Sequence, residues 1–415
     1  LRRELSEMSK RAIIVIISAL ALFTIQCGEN TVDPPTPPDL SAMEKAMVES
    51  SNEFAFNIFK GIIAQQPDTN IFISPLSISY ALGMCYNGAN NETEEAMRQT
   101  LCYGNLTDQE INESYKKLTR SLTEIDPKVI IEIANSIWYR IGFEVEDAFL
   151  EVNREYFDSE ARQADFFDLE VCHQINEWIE EKTHDKIQDM IDCPIGRDVM
   201  MYVINAIYFK GTWTYEFDKE KTAEMDFYLD DSTKTKCDMM KQRNEFSYLF
   251  ADGFKAISLP YGSAGYSMKV FMPNEGNITE DLISDFSDDS WKNWLGRFKT
   301  DSVTLYLPKF RIKYGIELKN VLTALGMGIA FGAADFTGIT RFGGIYISRV
   351  LHNTFVQVDE EGTEAAAATV VEFERSAPEP EKYMVVNRPF VFVIHDDYTG
   401  AILCMGRIIN PVWEE

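Results

Sequence analysis

Histidine is scarce: there are four in 415 residues. None of His173, His184, His352 and His395 stands in an HExxH helix or beside paired cysteines. The seven cysteines include no CxxC pair and no ligand spacing, so no zinc or other metal site is expected. Apart from Cys27, most of them read as small buried hydrophobes. The stretch Gly262-Ser263-Ala264-Gly265 lacks the spacing of a nucleophile elbow, and no GxGxxG or phosphate loop occurs. These absences argue against a metallohydrolase, a serine hydrolase and a nucleotide enzyme, so neither catalysis nor a cofactor is expected. His184 and His395 read as surface or turn residues. Positive charge is also short: 39 Lys and Arg face 66 Asp and Glu, a formal net charge of −27. Such a surface repels nucleic acid, polyanionic glycans and anionic lipid, and among protein partners it favours basic ones. No linker divides the interior after about Ser41. With 45% hydrophobic and 12% aromatic residues there is material for a large core, so residues 42–413 read as one domain despite the length.

What is present begins with an address. Lys10 and Arg11 precede an apolar run from Ala12 to Ile25, followed by Gln26-Cys27-Gly28, which reads as an export signal over residues 1–27. Met8 is a better start than Leu1. A cysteine closing such a run resembles the lipid-acceptor site of bacterial lipoproteins, although Gln26 departs from the small residue usual there. Cys27 is therefore the expected lipidation site, holding the protein at the cell surface or outer membrane through acyl chains only. A plain secretory signal or an uncleaved anchor stays open. Residues 28–41 form a polar, proline-rich tether.

The stretch with the most pointed chemistry is Val358 to Pro380, VDEEGTEAAAATVVEFERSAPEP. From Thr363 the odd positions (Thr363, Ala365, Ala367, Thr369, Val371, Phe373) are small or apolar, whereas Glu364, Glu372 and Glu374 fall on even ones. That is the period of a strand with one buried face. Four consecutive alanines, Ala365, Ala366, Ala367 and Ala368, nonetheless favour helix over strand. Gly362 frees the backbone at the front, and Pro378 and Pro380 stop any ladder behind. The segment can enter a sheet without being obliged to, and an Ala-rich linker or short helix is the plainer reading.

Glu360-Glu361-Gly362-Thr363-Glu364 through Thr369 is similar, nearly residue for residue, to the hinge of inhibitory serpins, the serine-protease inhibitor family. Further matches support the likeness. Phe72 to Pro75 resembles the end of a strand and the start of a buried helix, with Ser74 as cap and Pro75 in the first turn. Met200 to Phe217 resembles the strand beside the family's insertion gap, and Asn387 to Pro411 its C-terminal hairpin, so the likeness spans roughly Ala42 to Pro411. Residues 173–191 resemble the helix that crosses the front of the central sheet. The resemblance implies an α+β fold with three sheets, eight or nine helices and an exposed reactive-centre loop over about 360–386. It also implies a sheet-opening cluster of Ser74, Ser77, Asn205, His352 and Trp213, although Ser74 as a mere cap and Trp213 as ordinary core stay open. The function implied is suicide inhibition of an endopeptidase: the loop is cleaved, an acyl-enzyme forms, and the loop enters the sheet as a new strand. The molecule would act as a monomer on an elastase-like, trypsin-like or broad-specificity serine protease, or on a cysteine protease. Loop length points to cleavage at Ser376-Ala377, and residue chemistry to Arg375-Ser376. A non-inhibitory binding or carrier protein on the same fold is the alternative.

Overall fold

The computed structural model describes residues 40–124, 126–229, 233–363 and 382–414. The export segment with Cys27, the hinge from Glu364 to Thr369, and Arg375, Ser376 and Ala377 lie outside them. The first helix among the described residues, α1 (Ala42–Gln65), starts in a capping box in which Ser41 and Glu44 satisfy each other's backbone N–H groups. Strand β1 (Ile71–Ile73) leads into α2 (Pro75–Tyr86), whose residues are buried on almost every side, as a helix apolar all round must be. Then come α3 (Asn91–Thr100), α4 (Asp108–Glu124), β2 (Val129–Arg140), α5 (Asp147–Phe157), β3 (Ser159–Ala164), α6 (Leu169–Lys182) and β4 (Met201–Thr212).

The second half is strand-rich: β5 (Ala223–Tyr228), β6 (Lys234–Phe250), β7 (Phe254–Tyr261) and β8 (Tyr266–Pro273) precede α7 (Thr279–Ser284) and α8 (Asp288–Leu295). Strands β9 (Lys299–Pro308) and β10 (Phe310–Glu317) lead to a short α9 (Lys319–Leu322). Regular helix does not continue past Leu322: Gly326 takes φ +112°, and the chain goes on as a wide turn (Thr323–Met327) and a 3-10 turn (Gly328–Phe331). Strands β11 (Leu351–Val358), β12 (Gly362–Thr363), β13 (Lys382–Val385), β14 (Phe390–Asp396) and β15 (Ile402–Ile408) complete the chain.

The architecture is α+β, with nine α-helices among the described residues. The strands form two sheets, not the three expected. One runs β1-β15-β14-β8-β7-β6-β9-β13 with β5 on β6; the other runs β10-β11-β12-β4-β2-β3. The reason is β6, 17 residues long: its start pairs β5, its middle β9 and its end β7, so one continuous strand joins what would otherwise be separate ladders.

Strand β4 separates two apolar clusters. Its Ile204 and Ala206 face α6, packing with Trp178, Ile179 and Trp138, while Phe209 on the opposite face stacks edge-on against Tyr261 of the main core. His395 is a correction to the surface reading: it lies on β14 at 3% exposure, beside Asp397, because the turn starts only after Asp396. The cysteines need a second correction. Cys172 and Cys193 form a disulfide; Cys237 and Cys404 are buried thiols, and Cys85 and Cys102 are half-buried.

Candidate functional site

The site is the seam between β4 and β11. At its upper end the chain leaves β11 at Val358, turns through Asp359–Glu361 and comes back as β12, which slips between the two strands. Gly362 and Thr363 pair with Thr212 and Gly211 on one side, and Thr363 with Val358 on the other. The turn is held by the Asp359 carboxylate, which accepts the N–H groups of Glu361 (3.0 Å) and Gly362 (3.3 Å). Trp213 then fastens it: its backbone N–H donates to the Glu361 carbonyl, and its indole N–H to that of Asp359, both at 2.9 Å.

Glycine is required at 362. Its φ is +152°, and a Cβ there would meet the Gly211 carbonyl oxygen at 2.2 Å. Thr363 is buried, its hydroxyl 2.7 Å from that of Tyr261, whose ring stacks on Trp213 at 4.5 Å. Glu360 is also buried, with Lys309 at 2.9 Å and the Thr222 hydroxyl at 2.7 Å. Burial alone would raise its carboxyl, but these two partners outweigh it and hold it below the ordinary value. Glu361 pairs with Lys219 at the surface. Sequence reasoning missed Tyr261, Lys309 and Thr222. Tyr261 was signalled only by its place before the Gly262 turn, and the other two not at all.

Lower in the seam, three of the expected cluster meet. The Ser74 N–H donates to His352 Nε2 at 3.0 Å, and the Ser74 hydroxyl donates to the Leu403 carbonyl at 2.8 Å while accepting the Ser77 N–H at 3.2 Å. Ser74 is therefore both a cap and part of the cluster. Burial drops His352 to about 3, so its ring is neutral, and with Nε2 accepting, the proton sits on Nδ1. Asn205 is not joined to these three: its amide donates to Asn135 Oδ1 at 2.8 Å, and its own Oδ1 is buried with no partner. Trp213 belongs to the upper end, apart from the others. Ser74, Ser77, Asn205 and His352 line one cavity of about 860 Å³ that runs between β4 and β11 above α2. Among the described residues only β12 links the two strands through a ladder, and no cluster fit for a metal ion occurs.

The α+β fold is shared with known proteins. A model of the family described as serpin (serine protease inhibitor) matches residues 49–411. An uncharacterized serpin-like protein of Thermococcus kodakarensis is 35% identical over 376 residues, covering 89% of this chain and 86% of that protein. Human thyroxine-binding globulin, solved with thyroxine, superposes with a TM-score of 0.81 at 28% identity, covering 89% of this chain and 100% of that one. The thermophilic serpin tengpin in its native state gives 0.80 at 29% identity, over 91% and 97%. The chain belongs to the serpin family.

Proposed function

We propose that the protein inhibits a serine-type endopeptidase by inserting its cleaved loop into the seam between β4 and β11. The observation that carries this reading is the register of β12. Continued one residue per step from the pairs of Thr363 with Gly211 and Val358, an inserted strand would bring Thr369 opposite both Asn205 and His352. Its hydroxyl would meet the orphaned Asn205 Oδ1 on one side and the His352 Nδ1 proton on the other. Inward positions would be those small or apolar ones that alternate from Thr363, and Glu364 and Glu372 would point outward. Ser74, Ser77, Asn205, His352 and Trp213 would then line the path of a strand that reaches Phe373 at the level of Met201.

From Gly362 to Arg375 such a strand extends roughly 43 Å at strand rise. A protease acylated at Arg375 or Ser376 would be carried that far and lose its oxyanion geometry before water releases it, since small misplacements there are expensive. The partner is thus a protease, with no cofactor, and the inhibitor acts as a monomer. The apolar run closed by Cys27 supports export, with lipid attachment at that residue. No helix among the described residues is long and apolar enough to cross a membrane.

A second reading, a binding or carrier protein on the same fold, is favoured by the likeness to thyroxine-binding globulin and by the size of the cavity. Incubation with elastase-like and trypsin-like proteases separates the two. A complex that survives boiling in detergent supports inhibition; clean cleavage with the protease left active supports the carrier. Mass spectrometry of the released C-terminal peptide decides between Ser376-Ala377 and Arg375-Ser376.

A further inference from the structure

Strand β10 lies at the end of its sheet, and its outer edge is taken by residues that follow β15. The Arg311 N–H donates to the Val412 carbonyl at 2.9 Å, and the Glu414 N–H to the Arg311 carbonyl at 3.0 Å. The Lys313 N–H donates to a Glu414 carboxylate oxygen at 2.7 Å. Trp413 is thereby paired in parallel with Arg311. Side chains alternate along this edge: Phe310 and Ile312 are buried, so Lys309, Arg311 and Lys313 stand on the outer face. A side chain opposite Arg311 shares that face and, if aromatic, reaches the next residue along it. The Trp413 ring does so: Lys309 Nζ lies 5.3 Å from its centre.

Lys309 is also the cation that holds Glu360 at the start of the clasp. Their charged groups are 2.9 Å apart, with side chains 23% and 5% exposed respectively. The more open partner, Lys309, lines a cleft of about 340 Å³ together with Trp413 and with Glu224, Lys236 and Asp238 of β5 and β6. An ion pair weakens as water reaches it, and a ring laid on the ammonium both covers that flank and attracts the charge.

We propose that Trp413 is a positioning residue for strand entry: through Lys309 it keeps Glu360, and with it the turn from which β12 starts, fixed while the cleaved loop enters the seam. This role rests on the strand-entry reading above. An entering strand extends β12, which is two residues long, so its first rungs depend on the turn at Asp359–Glu361. A turn that wanders slows entry and lets water reach the acyl bond first. More inhibitor is then cut and released for each protease trapped. Trp413 does not line the cavity of the seam, so its effect passes through Lys309.

The test uses the full chain with an elastase-like and a trypsin-like protease, and counts inhibitor molecules consumed per protease inactivated. Trp413→Ala should raise that count about threefold, the size of a partly exposed cation–π contact. Trp413→Phe, which keeps a ring face, should restore it. In a Glu360→Gln background the alanine change should add little, because both act on one pair. A ring that only seals the edge of β10 would instead lower the thermal midpoint of the intact protein and leave the count where it was. Where Trp413→Ala folds poorly, Trp413→Leu, apolar but without a ring face, carries the comparison. An unchanged or lower count, or an equal effect in both backgrounds, overturns the role of Trp413 and leaves strand entry standing. Wild type that traps neither protease overturns strand entry, and the role of Trp413 with it.

Discussion

The two ends of the seam between β4 and β11 are built differently. At the upper end the carbonyls of Asp359, Glu360 and Glu361 all accept hydrogen bonds, from Trp213 and Phe217, and Glu360 has Lys309 and Thr222. At the lower end Asn205 Oδ1 is buried without a partner beside an open cavity. An unmet acceptor costs about 1–3 kcal/mol, and a cavity forfeits dispersion contacts as well. The contrast teaches that the upper end is a finished clasp for the start of a strand, and the lower end is the part of the sheet with something left to gain.

Changes at the upper end should have the larger effects. Thr363→Arg places an unpaired charge where the Tyr261 hydroxyl now sits, costing roughly 3–5 kcal/mol, the loss expected of an uncompensated buried charge. Detergent-stable complexes with a susceptible protease should fall by at least about a hundredfold while loop cleavage continues, and undiminished complexes would falsify the clasp's role in insertion. Gly362→Val must push against the Gly211 carbonyl, and about 2–3 kcal/mol of strain is expected. A lowered thermal midpoint and altered Trp213 fluorescence should report it.

Glu360→Gln is milder, at about 1–3 kcal/mol, because it removes a charged hydrogen bond and leaves Lys309 with less. It also has a pH signature. The folded carboxyl is held below its ordinary value, so its contribution is complete above that value and is lost as the pH falls through the lowered one. Denaturant titrations of wild type from pH 7 downward should show that acid-side loss, and the Gln variant should lack it. The smallest effect is expected at the lower end in the intact protein. Asn205→Ala should leave the intact protein within about 1 kcal/mol but take more from the cleaved form, where Thr369 would be its partner. Equal losses in both forms would mean that Asn205 serves only Asn135.

Much of this was legible in the chain because it is local. Ser74-Pro75 announces a capped helix, the alternation from Thr363 announces a strand, and Gly362 marks a backbone with no room for a side chain. The nearness of Ser74 to His352 came through family likeness, since nothing local ties residues so far apart. Helix α4 was overlooked although Ile111, Tyr115, Leu118 and Leu122 give it a helical stripe, because its polar majority hid the period. His395 was misplaced because the Asp-Asp-Tyr-Thr-Gly turn beside it reads as surface, whereas burial of the whole of β14 is a tertiary fact. The merging of the sheets through β6, and the pairing of Cys172 with Cys193, likewise depend on partners that no spacing in the sequence names.

The central claim is that the seam is more stable with a strand in it than without. The direct test is the thermal midpoint of the protein before and after a single cut near Ser376. The account predicts a rise, the opposite of what nicking does to an ordinary fold, because the freed loop completes the sheet and meets Asn205 and His352. An unchanged or lower midpoint after complete cleavage would contradict it and turn the protein toward the carrier reading.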